Sequence, residues 1–216
     1  MSRLKLWAIS IDEVRGIVSA DPDTAGRLRA AATDHFHLGS AAPMGLIGKL
    51  GPFLRKGGDP AAPRPESPTA QEVEDLLAGR FVPPDRLIPA WNLLEFWLDT
   101  VAHGYGTWTL TEPGVNDFDF DLARAQVPSR YGLSDLFKNS LGITLTRCPG
   151  LAAGWVSGQH ALAMAANWPR GIGDLSTEHA ELATSVLRFL DDWPGWEDQA
   201  ARSGRPAPDL VAVFRT

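Results

Sequence analysis

Cysteine is almost missing from this chain. Cys148 stands alone among 216 residues, so no intrachain disulfide can form and a disulfide scaffold is excluded. Long apolar runs are missing too, and no segment approaches the roughly 18 consecutive apolar residues that a membrane-spanning helix needs. Met1 to Ser10 holds only a short apolar stretch, interrupted by Lys5 and without a small-residue cleavage site. No secretory signal is read there, and the chain is expected in the cytoplasm. Positive charge is in deficit: 20 Lys and Arg against 26 Asp and Glu leave a net charge of −6. A surface of that sign repels phosphate backbones, so no nucleic-acid partner is expected. A complete catalytic signature is also absent.

What is present is core-forming material. Apolar residues make up 44% of the chain and include eight tryptophans, enough for one substantial core. A single domain over 1–216 is expected, with a Pro/Gly-rich insertion at about 38–68. There Ala41-Ala42-Pro43, Gly57-Gly58-Asp59-Pro60 and Pro63-Arg64-Pro65-Glu66-Ser67-Pro68 break regular structure.

Outside the insertion the pattern is mostly helical. Leu4 to Ile9 reads as a strand, followed by a helix that Ser10 or Asp12 caps and a second helix over Thr24–Ala32. Thr69 and Glu72 form a capping box for a helix that Gly79 ends. From Pro89, residues Trp91, Leu94, Trp97, Leu98 and Val101 recur at helical steps, and Leu93 and Phe96 widen the stripe, which predicts a central helix. Thr107–Thr111 reads as a short strand, with short helices over Phe118–Ala125 and Ser134–Ser140. Leu151–Trp155 is ambiguous. Helices follow over Gln159–Trp168 and from Ser176, and Leu210–Phe214 makes a closing strand. Strands at both ends with helices between predict an α+β fold, mostly helical, whose small sheet pairs the N- and C-terminal strands.

The reactive side chains are scattered. Gly45 to Lys49 fails as a phosphate loop, because Pro43 and Leu50 stand where glycine and Ser/Thr are required. Gly154 to Gly158 fails as a nucleophile elbow, with Ser157 one position late; a turn serine capping the next helix is the plainer reading. Asp117, Asp119 and Asp121 would share one face of an extended segment and there hold a hard cation, with Phe118 and Phe120 on the other face. The alternative is an acidic helix N-terminus. His35 and His37 have strand spacing for two zinc ligands but no obvious third. Asp99 lies one turn before His103 and would orient its ring as an acid–base pair, against an ordinary surface i,i+4 pair. Cys148, beside Arg147, has no partner thiol.

Two segments read as contact surfaces. Leu46, Ile47, Leu50, Phe53 and Leu54 on one helical face, with Lys49, Arg55 and Lys56 nearby, would form a docking arm for a partner or a membrane surface, or a loop folded back on its own domain. Trp193-Pro194-Gly195-Trp196 reads as a turn presenting two indoles to a partner.

The stretch Thr69 to Leu87 followed by Ala90-Trp91, with Leu4–Val18 and Pro206–Val213 at the ends, resembles a family of uncharacterised actinobacterial proteins. The likeness spans most of the chain but rests on no diagnostic motif, and it implies no catalytic residues.

The resulting expectation is a non-enzymatic protein-binding factor, immunity- or antitoxin-like or accessory to a secreted effector. Its acidic surface would cover the basic cleft of a partner such as a nuclease, and no cofactor is expected. The alternative is an enzyme of unrecognised type with an acidic, histidine-containing cleft.

Overall fold

A computed structural model describes residues 2–38, 66–110 and 114–216. The docking-arm residues Leu46, Lys49, Leu50 and Phe53 lie outside them. Within the described residues the fold is α+β and mostly helical, with a four-stranded antiparallel sheet.

β1 (Ser2–Ile9) alternates across the sheet. Leu4, Leu6 and Ala8 join one core and Trp7 and Ile9 the other, as the two-residue period of a strand requires. Ser10 then stops the strand and caps α1 (Ile11–Ile17) in a full capping box with Glu13. α2 (Pro22–Phe36) is longer than the sequence pattern predicts at both ends. The Asp21 side chain accepts from the Asp23 and Thr24 N–H groups, and Pro22 occupies the first turn, where its missing donor costs nothing.

α3 (Ala70–Leu77) carries the expected Thr69–Glu72 box, and Gly79, at φ +65°, supplies the left-handed exit. α4 (Leu87–Val101) is the central helix of its layer, burying Trp91, Leu93, Leu94, Trp97 and Leu98. The two buried indoles of this helix remain hydrogen-bonded: Trp97 donates to the Leu28 carbonyl at 3.0 Å and Trp91 to that of Thr146 at 3.2 Å.

β2 (Gly104–Leu110) pairs with β1. After it come α5 (Val115–Arg124), a 3-10 turn over Leu133–Phe137, and β3 (Leu151–Val156). α6 (Gly158–Asn167), α7 (Thr177–Asp191), α8 (Trp193–Ser203) and β4 (Asp209–Arg215) complete the order. The ambiguous Leu151–Trp155 segment is thus a strand. It lacks alternation because residues on both of its faces are buried.

The strand order is β2-β1-β4-β3. The N- and C-terminal strands pair antiparallel from Arg3↔Arg215 to Ile9↔Asp209, as expected, and form the middle of the sheet. Helices cover both faces. α1–α4 lie with Trp7, Ile9, Val211 and Val213 on the first face, and α5–α8 lie with Leu4, Leu6, Leu210 and Ala212 on the second.

The two outer edges differ. On β3, Asn139 bridges Trp155 and also donates its side-chain amide to the Trp155 carbonyl at 3.1 Å. Gly154 has no room for a side chain, since a Cβ there would sit 2.4 Å from the Leu136 carbonyl oxygen. That edge is sealed. On β2, among the described residues, no other strand pairs with the outer edge. Its sequence, Gly-Tyr-Gly-Thr-Trp-Thr-Leu, carries neither charge nor proline.

Candidate functional site

β2 lays its tryptophan over its own glycine. A Cβ on Gly106 would fall 2.2 Å from the Trp108 ring, so glycine is what lets the indole lie flat against the second face. Trp108 Nε1 donates to Ser185 Oγ of α7 at 2.9 Å, and the ring meets Phe189 edge-on. Gly104 similarly makes room for Trp196, and Phe189, Trp196 and Trp193 continue the aromatic row.

Where α7 begins, Ser176 caps the helix and places His179 in its first turn. His179 Nδ1 lies 2.6 Å from Asp121 Oδ2 of α5, and both side chains are largely buried. The hydrogen bond to His179 holds the Asp121 carboxyl below the usual carboxylate range, against the opposing effect of burial. Between β2, the start of α5 and this face of α7 lies a cavity of about 240 Å³. Trp108, Phe118, His179, Glu181 and Ser185 line it, with Glu178 alongside. Sequence reasoning misses the His179–Asp121 pair because 58 residues separate its members. The only sequence signal is a histidine three residues after the capping Ser176.

The three aspartates do not converge. The segment is helical, so at about 100° per residue Asp119 points away from Asp117 and Asp121, which lie one turn apart on the same side. Asp117 is exposed. Asp119 accepts from the Leu133 and Ser134 N–H groups at 2.6 and 2.9 Å, with Gly132 packed against its carboxyl, and burial pushes its pKa up. Asp121 takes His179. For the same reason Phe118 is buried while Phe120 is 64% exposed, rather than both sharing one face. Among the described residues, no three His, Cys, Asp or Glu side chains gather to hold a metal ion.

Asp99 and His103 lie in separate settings. Asp99 accepts from Lys5 Nζ at 2.7 Å and from Trp7 Nε1 at 2.8 Å, which ties α4 to β1. Both ring nitrogens of His103 are buried without a hydrogen bond, and Gln199 is the polar side chain that approaches the ring. Burial first, then the Arg205 charge, pushes the His103 pKa down, while Glu13 opposes.

His35 stacks on Phe96, and His37 ends α2 in the left-handed conformation, so the pair does not lie on a strand. Ser157 caps α6, accepting from the His160 N–H. Cys148 is buried, and that burial raises its pKa despite nearby Arg215.

The expected two-indole turn is corrected. Trp193 opens α8 with Pro194 in its first turn and is fully buried in the second core, so only the half-buried Trp196 touches the surface. A proline after the first helical residue starts a helix, and the first indole is thereby turned inward.

Among the described residues, no helix is long and apolar enough to cross a membrane. No known protein family, curated protein or solved structure matches the chain.

Proposed function

We propose that this protein acts by binding another protein, receiving an extended segment of a basic partner along the outer edge of β2. The observation that carries the reading is the contrast between the sheet's edges. Exposed strand edges are ordinarily guarded by charge, proline, bulges or cover, because their free N–H and C=O groups template further pairing. β3 is covered. β2, with no charged residue and no proline, has none of these guards among the described residues, and Tyr105 is 52% exposed on it. Strand addition to such an edge supplies affinity through the main chain and selectivity through alternate side chains. The net charge of −6 favours a basic partner and suits the immunity-like role expected from the sequence.

Elsewhere the carboxylates serve the fold. Glu95 bonds Arg3 and Arg215, Asp99 bonds Lys5 and Trp7, Asp119 caps a turn, and Asp209 accepts from the Ile11 N–H.

The test is amide hydrogen exchange on the complex formed with a protein captured by affinity. Amides of residues 104–110 should gain protection on binding, and Thr107→Glu should weaken capture about tenfold, the equivalent of roughly 1.4 kcal/mol. Thr107 stands opposite Lys5, so the added carboxylate is tolerated in the free protein, and it weakens capture by putting on the edge a charge that an added strand would have to desolvate. Unchanged exchange in β2 would defeat the reading. So would a homodimer that Thr107→Glu dissolves, because the edge would then serve a second copy.

The His179–Asp121 pair favours one second reading, an enzyme using a carboxylate-oriented imidazole as general base. On that reading Asp121→Asn would remove most of any turnover found, on the order of 10²-fold or more. Full activity in that variant would exclude it.

A further inference from the structure

The cavity beside β2 carries more than the edge alone. Its volume of about 240 Å³ is below the ~300–1,000 Å³ of pockets that hold drug-sized ligands, so it suits one long side chain rather than a cofactor. Its lining combines the half-buried Trp108 with two acidic residues, Glu181 and Glu178, over the buried Phe118. Ser185 Oγ, which accepts the Trp108 N–H, keeps a further lone pair and a proton for a second partner. His179, also in the lining, is fixed by Asp121, so its ring is held in one orientation. Among the described residues, no Lys or Arg lines the cavity.

We infer that this cavity is the specificity pocket of the strand-binding edge and takes the guanidinium of an arginine from the partner. This deepens the reading of β2 as a protein-binding edge and rests on it. Two physical features select arginine. A guanidinium stacks on aromatic faces and presents a planar fork to a carboxylate, so Trp108 and Glu181 are engaged together. An ammonium is a compact and strongly hydrated point charge that uses the ring less well. Position adds the link to the edge. Trp108, Thr109 and Leu110 of β2 themselves line the cavity, so a side chain from an added strand reaches it without leaving the ladder.

The experiment uses the full chain and N-acetyl-arginine amide as probe, followed through the Trp108 indole N–H by NMR. Lysine and norleucine amides serve as controls. The expected result is a saturable shift at Trp108 and at residues 178–182, with a dissociation constant of about 1–10 mM, as a single side chain allows. Glu181→Gln, an exposed substitution that leaves the fold intact, should weaken it about tenfold, as loss of one charge-assisted bond does. Norleucine amide should give no shift at Trp108, and lysine amide should bind several-fold more weakly than arginine. No saturable shift, an equal response to lysine or norleucine, or an unaltered Glu181→Gln would overturn the assignment. Thr107→Glu separates the two proposals, since Thr107 does not line the cavity. If that variant keeps both arginine-amide binding and full partner capture, the edge reading fails while the pocket stands. If it loses capture and the arginine amide never binds, the reverse holds.

Discussion

The two faces of the sheet are closed by different chemistry. On the first, three cations project from the strands, Arg3, Lys5 and Arg215, and α4 answers them with Glu95 and Asp99 one turn apart. On the second face the central strands contribute apolar side chains apart from Ser2, and tryptophans fill the space: Trp168 and Trp193 are fully buried and Trp108 half-buried. Each charge of the ionic seam has a stated partner, so that face is committed to holding the helix layer. The aromatic face packs well at its centre but leaves a cavity where bulky rings, a helix start and a strand end meet. The available chemistry of the molecule therefore lies on the side that sequence charge counts do not mark.

Breaking each face tests the comparison. Trp168→Ala removes a fully buried ring whose Nε1 donates to the Tyr131 carbonyl at 2.7 Å. It should cost about 3–5 kcal/mol in urea unfolding, the largest single effect expected here. Glu95→Ala strands the mostly buried Arg215 and should cost about 3 kcal/mol. Replacing Glu95 and Arg215 together by Met and Leu should recover most of that loss. If the double variant is no better than the single, the seam is not acting as a pair.

His103, on the turn between α4 and β2, sharpens the contrast through pH. Its pKa is depressed in the folded protein, so the unfolded chain binds the proton more readily. Stability should therefore fall as pH drops below about 6.5, and level off once the folded protein also takes up the proton. His103→Leu should flatten that part of a plot of unfolding midpoint against pH. The smallest effect belongs to a helix cap: Thr69→Ala breaks the α3 capping box and should cost about 1 kcal/mol by thermal melting.

Much of the fold was legible in the sequence because its signals are local. Capping boxes, the Trp91–Leu98 stripe and the alternation of Leu4–Ile9 each need only neighbours in the chain. β3 was ambiguous because burial on both sides erases alternation. Asp117, Asp119 and Asp121 share one face only at a strand's period, and tertiary packing instead chooses the helical alternative, which buries Phe118 and exposes Phe120. The site was the least legible. Asp121 was singled out for the wrong neighbours, and its true partner His179 comes from a helix 58 residues away. Asp99 and His103, adjacent on a helical wheel, were drawn to different partners by Lys5 and Trp7 on one side and by burial near Arg205 on the other.

The strand order has a consequence for biosynthesis. β4 wedges between β1 and β3, which touch only through it, yet it leaves the ribosome after both. Until the β4 residues emerge, β1 and β3 each expose an unmatched border, and the helix layers have no continuous floor to settle on. The most aggregation-exposed moment of this nascent chain is thus the interval before β4 slots into place.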